Sequence, residues 1–411
     1  MSQPGPIAGV IAFLVAAFVA GGATAQSSPA GAISDGVVRI GLILDMTGPY
    51  SRLTGEGSAT AARMAVEDFG GKVAGAPIDV VVADQHNNTD DAGVIARDWF
   101  DKQHVDAVMD VSGSSEALLV QRIADVRGKI VILNAPGANR LTEEACTATS
   151  IHYTNNTYAI AHSLGQAIVA NHGNTWFFIT VDYSYGYDLE DETAAVVRAN
   201  GGTVLGHARY PLDAADFSSY LLQAQQSQAK VIGLANGGAD LTNLIKRAAA
   251  MRMIPGPQTF AGLSMRINQV DDLGLATTQG MMLSETFYWD TDDATRAWSR
   301  RFFDRIGRMP NSLQAGVYSA TTHYLQAIAR TGTDASAPVM QAMREAPIDD
   351  FFAHGGHIRA DGLMVHDLHL YRVKSPAESK YPWDYFKLVA TIPGADAFPP
   401  LSESRCPLVK P

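Results

Sequence analysis

The chain has 411 residues, is 46% hydrophobic and 18% charged, and carries a formal net charge of -11. That length suits two domains of ordinary size, and that composition excludes a disordered chain. An acidic surface with no Lys/Arg run excludes nucleic acid and an anionic membrane face as partners and serves solubility.

The chain opens on an apolar run, Ile7 to Ala20, followed by Gly21-Gly22-Ala23-Thr24-Ala25-Gln26. Ala23-x-Ala25 fits a signal-peptidase site with cleavage after Ala25, so residues 1–25 are expected to be a secretory leader. The run falls short of the roughly 20 residues that span a bilayer. The leader is atypical in having no Lys or Arg, and no Cys near the cleavage site offers a lipid anchor. The mature protein is therefore expected outside the cytoplasm.

Strand and helix patterns then alternate. Val37–Leu44 reads as a strand, Asp45–Ser51 as a Gly/Pro/Tyr loop, and the residues from Gly55 as a helix. Strands at 78–84, 107–111 and 130–133 alternate with helices at 92–102 and 116–127. A second series follows: helix 158–171, strand 176–181, helix 189–200, strand 203–210, helix 217–227, strand 231–235 and helix 241–252. Short strands at 259–261 and 281–283, helices near 293–307, 312–330 and 335–344, and strands at 366–373 and 385–392 complete the chain. Short apolar runs bounded by turn residues are the pattern of strands covered on both faces. Right-handed crossovers turn such a series into a doubly wound parallel sheet. The fold class is α/β, with two Rossmann-like lobes and a ligand cleft between them.

Several loops fall at the carboxyl edges of these strands, where such sheets bind small molecules. They are Thr47–Tyr50, Ser112-Gly113-Ser114-Ser115, Asn134–Asn139, Asp182–Tyr187 and Asn236-Gly237-Gly238. The Ser-rich loop precedes a helix, so its hydroxyls and free N–H groups suit an anion; equally, such serines serve as plain N-caps.

Enzyme signatures are lacking. The first strand is not followed by GxGxxG, and neither a GxSxG elbow nor a P-loop occurs. His354-x-x-His357 and His366-x-x-His369 have the residue types of a metal site, but residues three apart on a strand face opposite ways. They are expected to be solvated histidines; neither metal nor cofactor is expected. The chain has two cysteines, Cys146 and Cys406. An isolated pair in an oxidising compartment usually bonds, with two free buried thiols as the alternative; neither cysteine has the neighbours of a metal or CxxC site.

Taken together, Ile40-Gly41-Leu42-x5-Gly48-Pro49-Tyr50, Asp110–Ser115, Pro136-Gly137-Ala138, Asp182-x-x-Tyr185-Gly186 and Met309-Pro310 resemble the solute-binding proteins of branched-chain amino acid type ABC importers. The resemblance covers nearly all of the mature chain. It implies a type I periplasmic binding fold, with lobes at 34–155 plus 286–356 and at 156–285 plus 357–411, joined by a multi-strand hinge. It implies a monomer in the periplasm whose partners are a small carboxylate ligand and a membrane permease. It also implies that the carboxylate lies against Ser112, Ser114 and Ser115, assisted by Gly137, Ala138 and Asn139. Tyr50, Tyr153, Tyr185, Asn236, Leu263 and Phe287 complete the expected cleft.

The sequence departs from that pattern in one informative place. Amino-acid binders of the family place an acid, which holds the ligand ammonium, in the loop after the strand matching 259–261. Here the loop is Gly262-Leu263-Ser264-Met265-Arg266, with an arginine and no carboxylate. A buried ammonium without a counter-charge costs several kcal/mol. The expected ligand is thus a non-amino organic acid, such as the aromatic acids that related binding proteins take. The alternatives are an amino acid or amide held by another acid, such as Asp182, and a soluble sensory receptor.

Overall fold

The computed structural model describes residues 1, 2, 5, 32–171 and 173–409. Most of the expected leader, including its cleavage site, lies outside the described residues. A six-stranded sheet in the order β2-β3-β1-β4-β5-β6 forms the first lobe. It contains β1 (Val38–Leu44), β2 (Lys72–Val73), β3 (Ala76–Asp84), β4 (Ala107–Val111), β5 (Ile130–Leu133) and β6 (Ser150–His152). All pairings are parallel except that of β2 with β3.

The alternation of β1 dictates how this sheet is covered. Val38, Ile40, Leu42 and Leu44 share one cluster with the alanine-rich face of α1 (Gly55–Asp68). Ile43 points the other way, toward α2 (Thr89–Asp101) and α3 (Ser114–Arg127). Gly41 shares that second face, where a Cβ would stand 2.4 Å from the Trp99 ring.

The chain then crosses through α4 (Thr157–Ile160), a π turn at Ala161–Gly165, and α5 (Gln166–Ala170). The sequence predicts one uninterrupted helix here. The π turn coincides with Ser163, whose Oγ back-bonds to Ala159 O and lies 2.8 Å from Ser284 Oγ; such back-bonding opens a helix. The second lobe holds a parallel sheet, β10-β9-β7-β8, built from β7 (Thr175–Val181), β8 (Thr203–Tyr210), β9 (Val231–Ala235) and β10 (Thr259–Gly262). Trp176 and Phe178 pack toward α6 (Ser184–Ala199), whereas Ile179 and Val181 share a cluster with residues of α7 (Ser218–Gln226) and α8 (Gly238–Ala250). Two short helices missed in the sequence, α9 (Ile267–Leu273) and α10 (Leu275–Thr278), follow β10.

From β11 (Met282–Glu285) the chain returns to the first lobe as α11 (Asp293–Ile306), α12 (Ser312–Thr331) and α13 (Ser336–Glu345). Arg301 holds Asp68 and Arg305 holds Glu67, tying α11 to α1. The hairpin β12 (His357–Ile358) and β13 (Met364–Val365) stays with the first lobe, because Gly362 O accepts from His152 N at 2.9 Å. The third crossing therefore follows Val365, later than the expected boundary after residue 356. An antiparallel sheet of β11, β14 (Leu368–Val373) and β15 (Phe386–Ile392) closes the second lobe. The last short helix is α14 (Gly394–Ala397), and Cys406 is disulfide-bonded to Cys146.

The histidine reading needs one correction. His354 and His357 are exposed, but His366 is buried between the rings of Phe352 and Phe398. Among the described residues no His/Cys/Asp/Glu group could hold a metal. Burial pushes His366 down to about 4, and likewise His152. A His depressed on folding contributes fully above its unfolded value near 6.5 and costs stability as pH falls toward its folded value. His366→Phe is therefore expected to gain about 3 kcal/mol on wild type between pH 7 and pH 4. Parallel urea titrations across that range check this; a pH-independent difference would contradict it.

Candidate functional site

Buried carboxylates shape two loops at the carboxyl edge of the first sheet. Asp45 is wholly buried and accepts from the N–H groups of Thr47, Gly48 and Tyr50 and from Asn87 Nδ2. It thereby folds the Gly-Pro-Tyr loop and presents Tyr50. Asp110 accepts from the N–H groups of Val111, Asn134 and Ala135 and sets the start of the next loop. Burial still pushes Asp110 up to about 6.

Ser112 joins these loops: its Oγ accepts from Asp45 N at 2.9 Å and lies 2.7 Å from Thr54 Oγ1. Ser114 begins α3. Its Oγ accepts a long 3.3 Å bond from Ala138 N. Gly113 at the N-cap has no side chain to satisfy the first N–H groups of α3. The positive end of α3 therefore meets the cavity at Ser114, with the Glu116 carboxylate against Gly113 on the same turn. Glu116 accepts from Thr89 Oγ1 at 3.2 Å, and burial raises the pKa of its carboxyl against the pull of that bond.

The second lobe supplies the facing wall through Tyr183, Tyr185, Gly237, Ser264 and Arg266. The lobes are closed. Tyr50 and Tyr183 hydroxyls meet at 2.8 Å, Ser115 and Ser184 hydroxyls at 3.0 Å, and Pro49 O accepts from Ala239 N at 2.8 Å. Asn139 donates to Glu192 at 2.8 Å, Arg140 pairs with Asp188, and Arg52 pairs with Asp272 at 2.9 Å. Gly137 permits this approach, since a Cβ there would stand 2.6 Å from the Tyr185 ring.

Between the walls lies a cavity of about 40 Å³. Its lining includes Tyr50, Leu53, Thr54, Ser112, Ser114, Gly137, Asn155, Ile160, Tyr183, Tyr185, Ser264, Arg266 and Leu313. Among the described lining residues Arg266 is the cation, and there is no carboxylate. Arg266 Nη1 donates at 2.6 Å to Glu285 and at 2.6 Å to Ser312 Oγ, the first residue of α12. Burial pushes the Glu285 carboxyl up, opposed by this guanidinium. Burial likewise raises the hydroxyls of Tyr50, Tyr183 and Tyr185, so all three remain protonated.

The structure thus brings Tyr50, Ser112, Ser114, Gly137 and Tyr185 to one cavity. Ser115 and Asn139 bond across the cleft mouth instead, and Ala138 is in the core, reaching the site through its N–H. Tyr153 faces the first-lobe core, where its hydroxyl meets Ser319 at 2.9 Å. Asn236 donates to Tyr210, and Leu263 packs with the β7 core. Phe287 meets Trp298 and Phe351 edge-on. None of these last four lines the cavity. Alternation along the chain buries them while presenting their neighbours. Arg266 and Tyr183 stand out in the sequence as a charge and an aromatic in strand-end loops; Asn155 gives no such signal.

A family profile described as periplasmic binding protein matches residues 37–380. A periplasmic binding protein from Burkholderia mallei shares 48% identity, with a TM-score of 0.89, over 91% of this chain and 99% of that one. A branched-chain amino acid ABC transporter periplasmic ligand-binding protein from Burkholderia xenovorans shares 37% identity, with a TM-score of 0.80, over 91% and 100%. An ABC transporter solute-binding protein from Rhodopseudomonas palustris, bound to 3,4-dihydroxybenzoic acid, superposes with a TM-score of 0.79 over 88% and 98%. At 17% identity that likeness concerns the fold alone. No curated protein matches the chain.

Proposed function

The chain belongs to the periplasmic binding protein family, a family of non-catalytic receptors, and from that premise we propose which solute it carries. It is a solute-binding protein of an ABC transporter. Its ligand is a small organic carboxylate without a free ammonium, delivered in the periplasm to a membrane permease. The carboxylate lies at the N-terminus of α3 against Ser114, and the body of the ligand lies among Tyr50, Tyr183 and Tyr185. The observation that carries this reading is the lining: helix-end donors and a hydroxyl, with no carboxylate to receive an ammonium. Of the acids beside the wall, Glu285 is already engaged by Arg266 and Ser312, and Glu116, which lies against Gly113, accepts from Thr89.

Ser114→Ala is expected to weaken a carboxylate ligand by about 1.5–3 kcal/mol, the contribution of a hydrogen bond to a charged group. Calorimetry on wild type and variant with the same ligand reads this, and an unchanged affinity would displace the anion from α3. A second reading, a branched-chain amino acid, is favoured by the description of the Burkholderia xenovorans relative. It requires Glu285 to exchange Arg266 for the ligand ammonium. Binding of L-leucine or L-valine in preference to their deaminated analogues would select it.

A further inference from the structure

We propose that the ligand carries a second, uncharged hydrogen-bond acceptor, received by Arg266 and Asn155. This deepens the carboxylate reading of the same cavity and rests on it. Both residues line the cavity, and both are buried, at 5% and 2% exposure. Both also hold a donor with no partner among the described residues: Arg266 Nε and Asn155 Nδ2. The contact between them is a single 3.5 Å approach of Arg266 Nη2 to Asn155 Oδ1. Buried donors left unpaired cost free energy comparable to a lost hydrogen bond. Both belong to residues of one cavity wall, and a ligand oxygen seated between them would answer both.

The acceptor is uncharged because Arg266 is already neutralised. Its Nη1 lies 2.6 Å from Glu285, and Ser312 Oγ fixes the same nitrogen. A second carboxylate would meet the Glu285 charge with no net cation to offset it. A carbonyl or hydroxyl oxygen takes the two N–H groups without that repulsion. The favoured class is therefore a monocarboxylate bearing an oxo or hydroxyl group. A plain hydrocarbon acid leaves both donors unpaired, and a site built to hydrogen-bond an oxygen discriminates strongly against the analogue lacking it.

The test is calorimetry on the full mature chain with two matched pairs: 4-methyl-2-oxopentanoate against 4-methylpentanoate, and 4-hydroxybenzoate against benzoate. In at least one pair the oxygenated acid is expected to bind about 10-fold tighter or more. Asn155→Leu removes one donor. Arg266→Lys keeps a cation for Glu285 while removing the Nε–H, so it remains informative if the leucine variant fails to fold. Either variant should bring that pair to within about 3-fold, with the plain acid little changed. Equal binding within both pairs overturns the proposal and leaves the carboxylate reading standing, as does a preference that survives both substitutions. If none of the four acids binds while L-leucine does, the carboxylate reading falls and this proposal with it.

Discussion

Arg266→Met is expected to destabilise the protein by about 3–5 kcal/mol, because it strands the Glu285 carboxyl in the interior. The two side chains are 6% and 2% exposed and meet at 2.6 Å. Glu285→Leu should cost a similar amount by stranding the guanidinium. The double variant should lose far less than the sum, since a buried ion pair replaced by apolar side chains is often close to neutral. Urea unfolding of the four proteins closes the cycle. Additive losses would mean that the pair is not coupled and that Arg266 is held by Ser312 alone. The result bears on function as well as stability: Arg266 comes from the loop between β10 and α9, while Ser312 begins α12 of the other lobe.

The double variant Cys146→Ser/Cys406→Ser is expected to lose about 5 kcal/mol, the upper end for a single disulfide. The bond joins residues 260 positions apart, and the entropy it removes from the unfolded chain grows with the enclosed loop. It also secures the C-terminal segment, where Arg405 N donates to Glu143 at 2.6 Å and the Arg405 guanidinium reaches Glu144 at 3.4 Å. Denaturant midpoints of oxidised wild type and the serine variant measure the loss. Matching midpoints would mean that packing of the segment suffices without the bond.

Much of this architecture was legible in the sequence. The strands at 107–111, 130–133, 203–210 and 231–235 have the bounds expected of them, because short β-rich runs between turn residues admit few alternatives. The two-residue strands, β6 and the helices after β10 escaped notice, since so few residues carry no periodicity. Helix starts fell earlier than expected at α3, α6 and α8. Their first turns, such as Ser184-Tyr185-Gly186 and Gly238-Ala239-Asp240, read locally as loops. The candidate site was half legible. Ser114 and Tyr50 could be placed because strand-end loops converge on the cleft. Tyr153 and Phe287 could not be separated from Tyr183 and Asn155, because which side of a crossing segment faces the cavity depends on tertiary packing.

The most direct test of the receptor reading is a thermal-shift titration of the protein with L-leucine, L-valine, their deaminated analogues, benzoates and short organic acids. A ligand at about 100 times its dissociation constant stabilises by about 2.7 kcal/mol, well within reach of such a titration. A saturable shift with one or more acids that lack an ammonium, and a smaller one with the matching amino acids, is the predicted result. A shift confined to L-leucine or L-valine would contradict it and give Glu285 the role of ammonium partner.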